Sequence, residues 1–209
     1  MTVIPRKIGL FITGGNPWEI VFSILHLEKL KLLRIPITID IDSISASTAE
    51  LEEELSRLAP TKIEEVKATE MEAIIIPGGM RLFRGLCDSE AAGDTLKVDD
   101  RLKTLIKGVY RLKKPIGAFG PAVLLVTNAL KGITGSGSVV TVGNDPRLQA
   151  KIEKSGAQTV VTRPGEVVLD ETNKLVTSGG ELGTKRIGEV NAACENLLSG
   201  LIELMVDRK

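Results

Sequence analysis

Three apolar runs that each stop at glycine constrain the fold most: KIGLFITGG (7–15), AIIIPGG (73–79) and KKPIGAFGP (113–121). A short apolar run bounded by turn residues, with a helical pattern after it, is the signature of a strand buried on both faces. After the first run, Asn16 is placed to cap a helix and Pro17 to open it, and the pattern predicts helix from Trp18 to Leu33. PITIDID (36–42) reads as a second strand, AELEEELSRLA (49–59) as a helix stopped by Pro60, and TKIEEVKA as a short strand. A loop is expected from Met80 to about Lys97. Val98, Leu102, Leu105, Ile106, Val109 and Leu112 then repeat at helical spacing.

The pattern continues to the C-terminus. AVLLVTNAL follows the third glycine bend as a helix, and SVVTVG (138–143) reads as a strand. Asp145-Pro146 starts another helix. TVVTR and then EVVLD-ETN-KLVTS give a strand and a hairpin, and a last helix runs from about Lys185 to Val206. Strands alternating with helices, with glycine at the strand ends, predict a single domain over 1–209. It is a three-layer α/β/α sandwich, flavodoxin-like, with a mostly parallel sheet and a C-terminal hairpin.

Lys plus Arg and Asp plus Glu each number 27, so the chain carries no net charge. That gives no electrostatic reason to bind nucleic acid or an anionic membrane. No stretch approaches the roughly 20 apolar residues of a membrane span. The start reads straight into a strand and not as a secretion signal. Cys87 and Cys194 stand far apart without metal-ligand spacing, as reduced thiols in a cytoplasmic protein. No metal and no cofactor are expected.

In such sheets, ligands bind beyond the carboxyl ends of the strands. Gly14-Gly15, Pro77-Gly78-Gly79 and Gly117 to Pro121 lie at such ends, with Glu19 on the helix after the first. Glycines there let backbone N–H groups approach a ligand, and two such donors form an oxyanion hole. A carboxylate near a helix start, as at Glu19, suits a general acid or base or a group that orients a nucleophile. The third bend has the shape of a nucleophile elbow, yet it carries no nucleophilic side chain.

AIIIPGG, KKPIGAFGPAVLL and EVVLDETNKLVTSGG, in that order, resemble the DJ-1/PfpI superfamily of class I glutamine amidotransferase-like proteins. Within it the chain is most similar to the ElbB-like subfamily, for which the resemblance implies glyoxalase-type chemistry. Members carry a Glu near the start of the first helix, matched by Glu19, and a glycine oxyanion donor, matched by Gly78 or Gly79. They place a reactive Cys in the elbow three residues before a Pro. Counted back from Pro121, that position is Ala118; counted from the start of the strand, it is Gly120. Some members supply a His from the loop after the next strand, but residues 131–147 contain none.

The resemblance thus implies a member without the elbow nucleophile, non-catalytic or altered. It would bind a small carbonyl or anionic ligand, or a protein partner, through Glu19, Gly14, Gly15, Gly78, Gly79, Phe119 and Gly120. It also implies a homo-oligomer, a dimer by family habit. The alternative is a glyoxalase- or hydrolase-type enzyme in which Glu19 works with Cys87 or an activated water.

Three other features invite functional readings. Glu19, Ser23 and His26 share a helix stripe, but His26 lies about 10 Å along the axis from Glu19. GITGSGSVVTVG (132–143) lacks the ending of a phosphate loop and reads as a connection. Trp18, the only tryptophan, either roofs the crevice or staples the helix start.

Overall fold

The computed structural model describes residues 6–39, 57–88, 96–135, 137–182 and 184–206. Its main sheet holds β1 (Lys7–Phe11), β2 (Leu33–Thr38), β3 (Thr61–Lys62), β4 (Ala73–Ile76), β7 (Ile116–Phe119), β10 (Val167–Asp170) and β11 (Leu175–Ser178). The strand order is β10-β11-β7-β4-β1-β2-β3, parallel throughout except for the β10–β11 hairpin. Two small pairs stand apart: β5 (Cys87–Asp88) with β6 (Lys97–Val98), and β8 (Val139–Val140) with β9 (Gln158–Thr159).

The helices are α1 (Pro17–Lys29), α2 (Met80–Leu86), α3 (Asp100–Arg111), α4 (Pro121–Ala129), α5 (Pro146–Lys154) and α6 (Ile187–Val206). Alternation along the strands sorts them into layers. Ala73 and Ile75 of β4 join Ile20 and Leu27 of α1 and Leu197 and Leu201 of α6. Ile74 and Ile76 join Leu82, Ile106, Val123 and Ile152 of α2, α3, α4 and α5 on the other face. Burying one Leu or Ile side chain contributes about 1.5–3 kcal/mol, so both layers are firmly held. The three-layer α/β/α architecture expected from the sequence is therefore present.

Local departures have local causes. The first helix stops at Lys29, not Leu33, because Lys31 turns left-handed (φ 56°) and Leu33 already pairs with Lys7. Pro36 is tolerated inside β2 because pairing with β3 begins only at Ile37. The strand expected over TKIEEVKA shrinks to Thr61–Lys62 followed by a 3₁₀ turn, Ile63–Glu65. The expected loop after Gly79 opens with α2. SVVTVG supplies a strand, but outside the main sheet. The helix expected over 49–59 falls mostly on 40–56, outside the described residues. Among the described residues, no helix is long and apolar enough to cross a membrane.

One buried cation ties together the segments that enter β4 and β7. Lys114, just before β7, is 7% exposed and its Nζ donates to the carbonyls of Ala68 (2.9 Å), Thr69 (3.2 Å) and Met71. Methionine there keeps the packing and orphans those carbonyls. We expect Lys114→Met to lower the free energy of unfolding by about 3 kcal/mol, read by urea denaturation.

Candidate functional site

The neighbours β11, β7, β4 and β1 all point their carboxyl ends the same way, so four loops meet there. Asn16 caps α1 by accepting from Trp18 N (3.0 Å) and Glu19 N (3.2 Å), and Pro17 sets the first turn. That geometry sends the Glu19 side chain inward, where it is 2% exposed. Glu19 Oε2 accepts from Gly78 N–H at 2.6 Å, and Oε1 accepts from Glu181 N–H at 3.0 Å. The Asn16 side-chain amide in turn donates to the Glu181 carboxylate.

Burial is the dominant influence on the Glu19 carboxyl and pushes its pKa up to about 7. The N–H groups of Glu181 and Gly78 pull the other way, and the nearby Glu181 charge pushes further up. Both oxygens already accept backbone hydrogens, so a proton on either one is free to be donated elsewhere. The available direction is a cleft of about 550 Å³, lined by Asn16, Glu19, Met80, Pro121, Glu181 and Lys185 among others.

The sequence-predicted residues divide. Gly79 lines this cleft. Gly14 and Gly15 instead pack loop against loop: Gly14 O accepts from Leu82 N at 3.0 Å, and Gly15 abuts Pro77. Gly78 is a donor, but its N–H is spent on Glu19. Phe119 is fully buried beneath the bend.

Ala118 is not the bend residue. It lies inside β7, fully buried, paired with Ile76 on one side and Thr177 on the other. The bend is Gly120 (φ 46°, ψ −123°), a backbone state that costs other residues of order 1 kcal/mol or more. Counting from the start of the strand gives this bend residue, and counting back from Pro121 gives the strand residue Ala118. Gly120 N–H donates to Ser178 O at 2.8 Å, and the following residue, Pro121, has no N–H to offer. In elbow enzymes the amide after the nucleophile is an oxyanion donor, and that donor is missing here.

Cys87 sits elsewhere. Its thiol donates to Phe83 O at 2.9 Å within the cluster containing Val98 and Leu102, across the sheet from α1. Cys194 lies on α6 against α1, its thiol donating to Glu19 O at 3.7 Å, and burial pushes its pKa up. Ordinary iodoacetamide conditions are expected to label neither cysteine within minutes in the folded protein and both in denaturant, as read by intact mass.

Trp18, Ser23 and His26 do not line this cleft. His26 Nε2 shares a 3.0 Å hydrogen bond with Asn191 Oδ1 on α6. Ser23 Oγ is buried beside the Cys194 thiol of α6. Trp18 is exposed and stacks on Phe22, with ring centroids 6.0 Å apart.

Sequence reasoning missed Gly180, Glu181 and Leu182. The signal was present: β11 also ends in Gly179-Gly180, the same strand-end doublet that marks the other loops. Gly180 is required because a Cβ there would stand 2.1 Å from Glu19 Oε1.

Comparison with known proteins bears on the family and the fold. The chain is 24% identical over 153 residues to the mitochondrial ES1 protein homolog of Rattus norvegicus, covering 69% of this chain and 56% of that one. It is 28% identical over 137 residues to the mitochondrial glutamine amidotransferase-like class 1 domain-containing protein 3 of Homo sapiens, covering 60% and 49%. It thus spans about half the length of these relatives. Among solved structures, an isoprenoid biosynthesis protein with an amidotransferase-like domain from Ehrlichia chaffeensis superposes with a TM-score of 0.79. The identity is 18%, over 94% of this chain and 99% of that one, which shows the shared fold. The DJ-1/PfpI family model matches residues 10–189. From the first buried strand to the start of the last helix, the chain belongs to the DJ-1/PfpI family.

Proposed function

We propose that this protein binds a small neutral carbonyl compound without forming a covalent adduct. The observation that carries this reading is the bend itself: Gly120 has the elbow backbone and no side chain, while Glu19 remains buried beside it. A carboxyl with a pKa of about 7 is substantially protonated at neutral pH and donates to a carbonyl oxygen. With Glu19 protonated, the charges lining the cleft are Glu181 and Lys185, one of each sign, so it holds no surplus positive charge to draw an anion. That favours the neutral-carbonyl form of the expectation over the anionic one, and over a protein partner.

The test uses hydroxyacetone as a neutral probe and methylglyoxal as a reactive one. Hydroxyacetone is expected to bind saturably, to weaken as pH rises above 7, and to lose affinity in Glu19→Gln. Methylglyoxal turnover is expected to be no higher than in Glu19→Gln, with no protein adduct by mass spectrometry. Absence of saturable binding overturns the proposal.

A second reading keeps an enzyme that uses Glu19 as base toward a bound water, because a group poised near neutrality exchanges protons readily. Its mark is methylglyoxal turnover abolished in Glu19→Gln and unaffected by replacing Cys87. We also propose a homo-oligomer in the cytoplasm. Sedimentation at micromolar concentration and fractionation of the source cells test these two points.

A further inference from the structure

Leu182 crowds the space that a side chain on the bend residue would enter. A Cβ on Gly120 would lie 3.1 Å from Leu182 Cδ1 and 3.2 Å from Leu182 Cγ, tighter than ordinary contact. The same leucine lines both the 550 Å³ cleft over Glu19 and a second cleft of about 480 Å³ bordered by Gly143, Arg163 and Gly179. Its position is fixed by polar ties rather than by a strand or helix, since β11 ends at Ser178 and α6 begins at Ile187. Leu182 N–H donates to Gly179 O at 3.0 Å, and Glu181 N–H donates to Glu19 Oε1 at 3.0 Å. The Glu181 carboxylate is held by Asn16.

We infer that Leu182 is a built-in occupant of the ligand space over residue 120, dividing one continuous cleft into two. Its isobutyl group marks the chemistry that space accepts: a compact, branched, four-carbon aliphatic group beside a hydrogen-bond acceptor directed at Glu19. The inference rests on the packing around Gly120 and goes beyond the carbonyl reading, which concerns the Glu19 side alone. Leu182 is partly buried against the core, so truncating it leaves an apolar recess open to both clefts, a concave site that takes up an apolar group of matching shape.

The probe is 4-methylpentan-2-one, an isobutyl group joined to a ketone, titrated into isotope-labelled wild type and Leu182→Ala. The expected result is saturable shifts of the Gly120 and Glu181 amides in Leu182→Ala, with at least tenfold tighter binding than in wild type. Equal responses in the two proteins overturn the inference, whatever hydroxyacetone does. A second measurement needs no ligand: Gly120→Ala is made in the wild-type and Leu182→Ala backgrounds, the latter lacking both crowding carbons. The backbone strain at φ 46° is common to both and cancels. The factor by which Gly120→Ala shifts the unfolding equilibrium is expected to shrink at least fivefold in the Leu182→Ala background; an unchanged factor overturns the inference.

Discussion

Between pH 5 and pH 8 the free energy of unfolding is expected to fall by about 3 kcal/mol in the wild-type chain and to stay nearly flat in Glu19→Gln. The cause is the Glu19 carboxyl, raised from 4.5 to about 7 by burial. Between those two values the folded chain holds a proton that the unfolded chain has released. Stability therefore declines as pH rises through that window, because each unit of pKa difference corresponds to 1.36 kcal/mol. The contribution is complete below the unfolded value and lost above the folded one. Glutamine is not a neutral replacement in absolute terms. A protonated carboxyl keeps two accepting oxygens for Gly78 N–H and Glu181 N–H, whereas an amide turns a donor toward one of them. The slope with pH, measured by urea denaturation at several pH values, is the discriminating quantity. A wild-type slope no steeper than that of the variant means that Glu19 is not held protonated.

Gly180→Ala is expected to cost about 3 kcal/mol and to flatten the same pH slope. Gly180 is left-handed (φ 56°), and its added Cβ would lie 2.1 Å from Glu19 Oε1 and 3.2 Å from Phe119 Cβ. Neither neighbour can yield, since Glu19 is held by two backbone donors and Phe119 is fully buried. The turn must lift, breaking the bond from Glu181 N–H and admitting water to the carboxyl. Hydration removes the main cause of the raised pKa, so Glu19 titrates closer to 4.5 and the slope between pH 5 and 8 shrinks. A variant as unstable as this but with an unchanged slope would separate the clash from the burial of Glu19. The two predictions together distinguish the acid from the loop that buries it.

The apolar runs ending in glycine, their alternation with helical patterns and the DETN turn of the hairpin are local signals. A strand buried on both faces needs an apolar run, and a sharp exit needs glycine. They determined the layered parallel sheet, the C-terminal hairpin and the line of strand ends where a site belongs. They also brought Glu19 forward, because its helix position follows from Asn16 and Pro17 three and two residues before it. The absence of a nucleophile at the bend was legible too, though its residue was not. One count led to Ala118 and the other to Gly120, and the backbone angles put the left-handed turn at Gly120.

What only the tertiary structure decided depends on parts of the chain far apart in sequence. Glu181 meets Glu19 across 162 residues, and Leu182 reaches the space over Gly120 through a turn that no periodicity encodes. The pKa of Glu19 is likewise a tertiary property. It comes from removing water on every side of one carboxyl, and only the packed loops together do that.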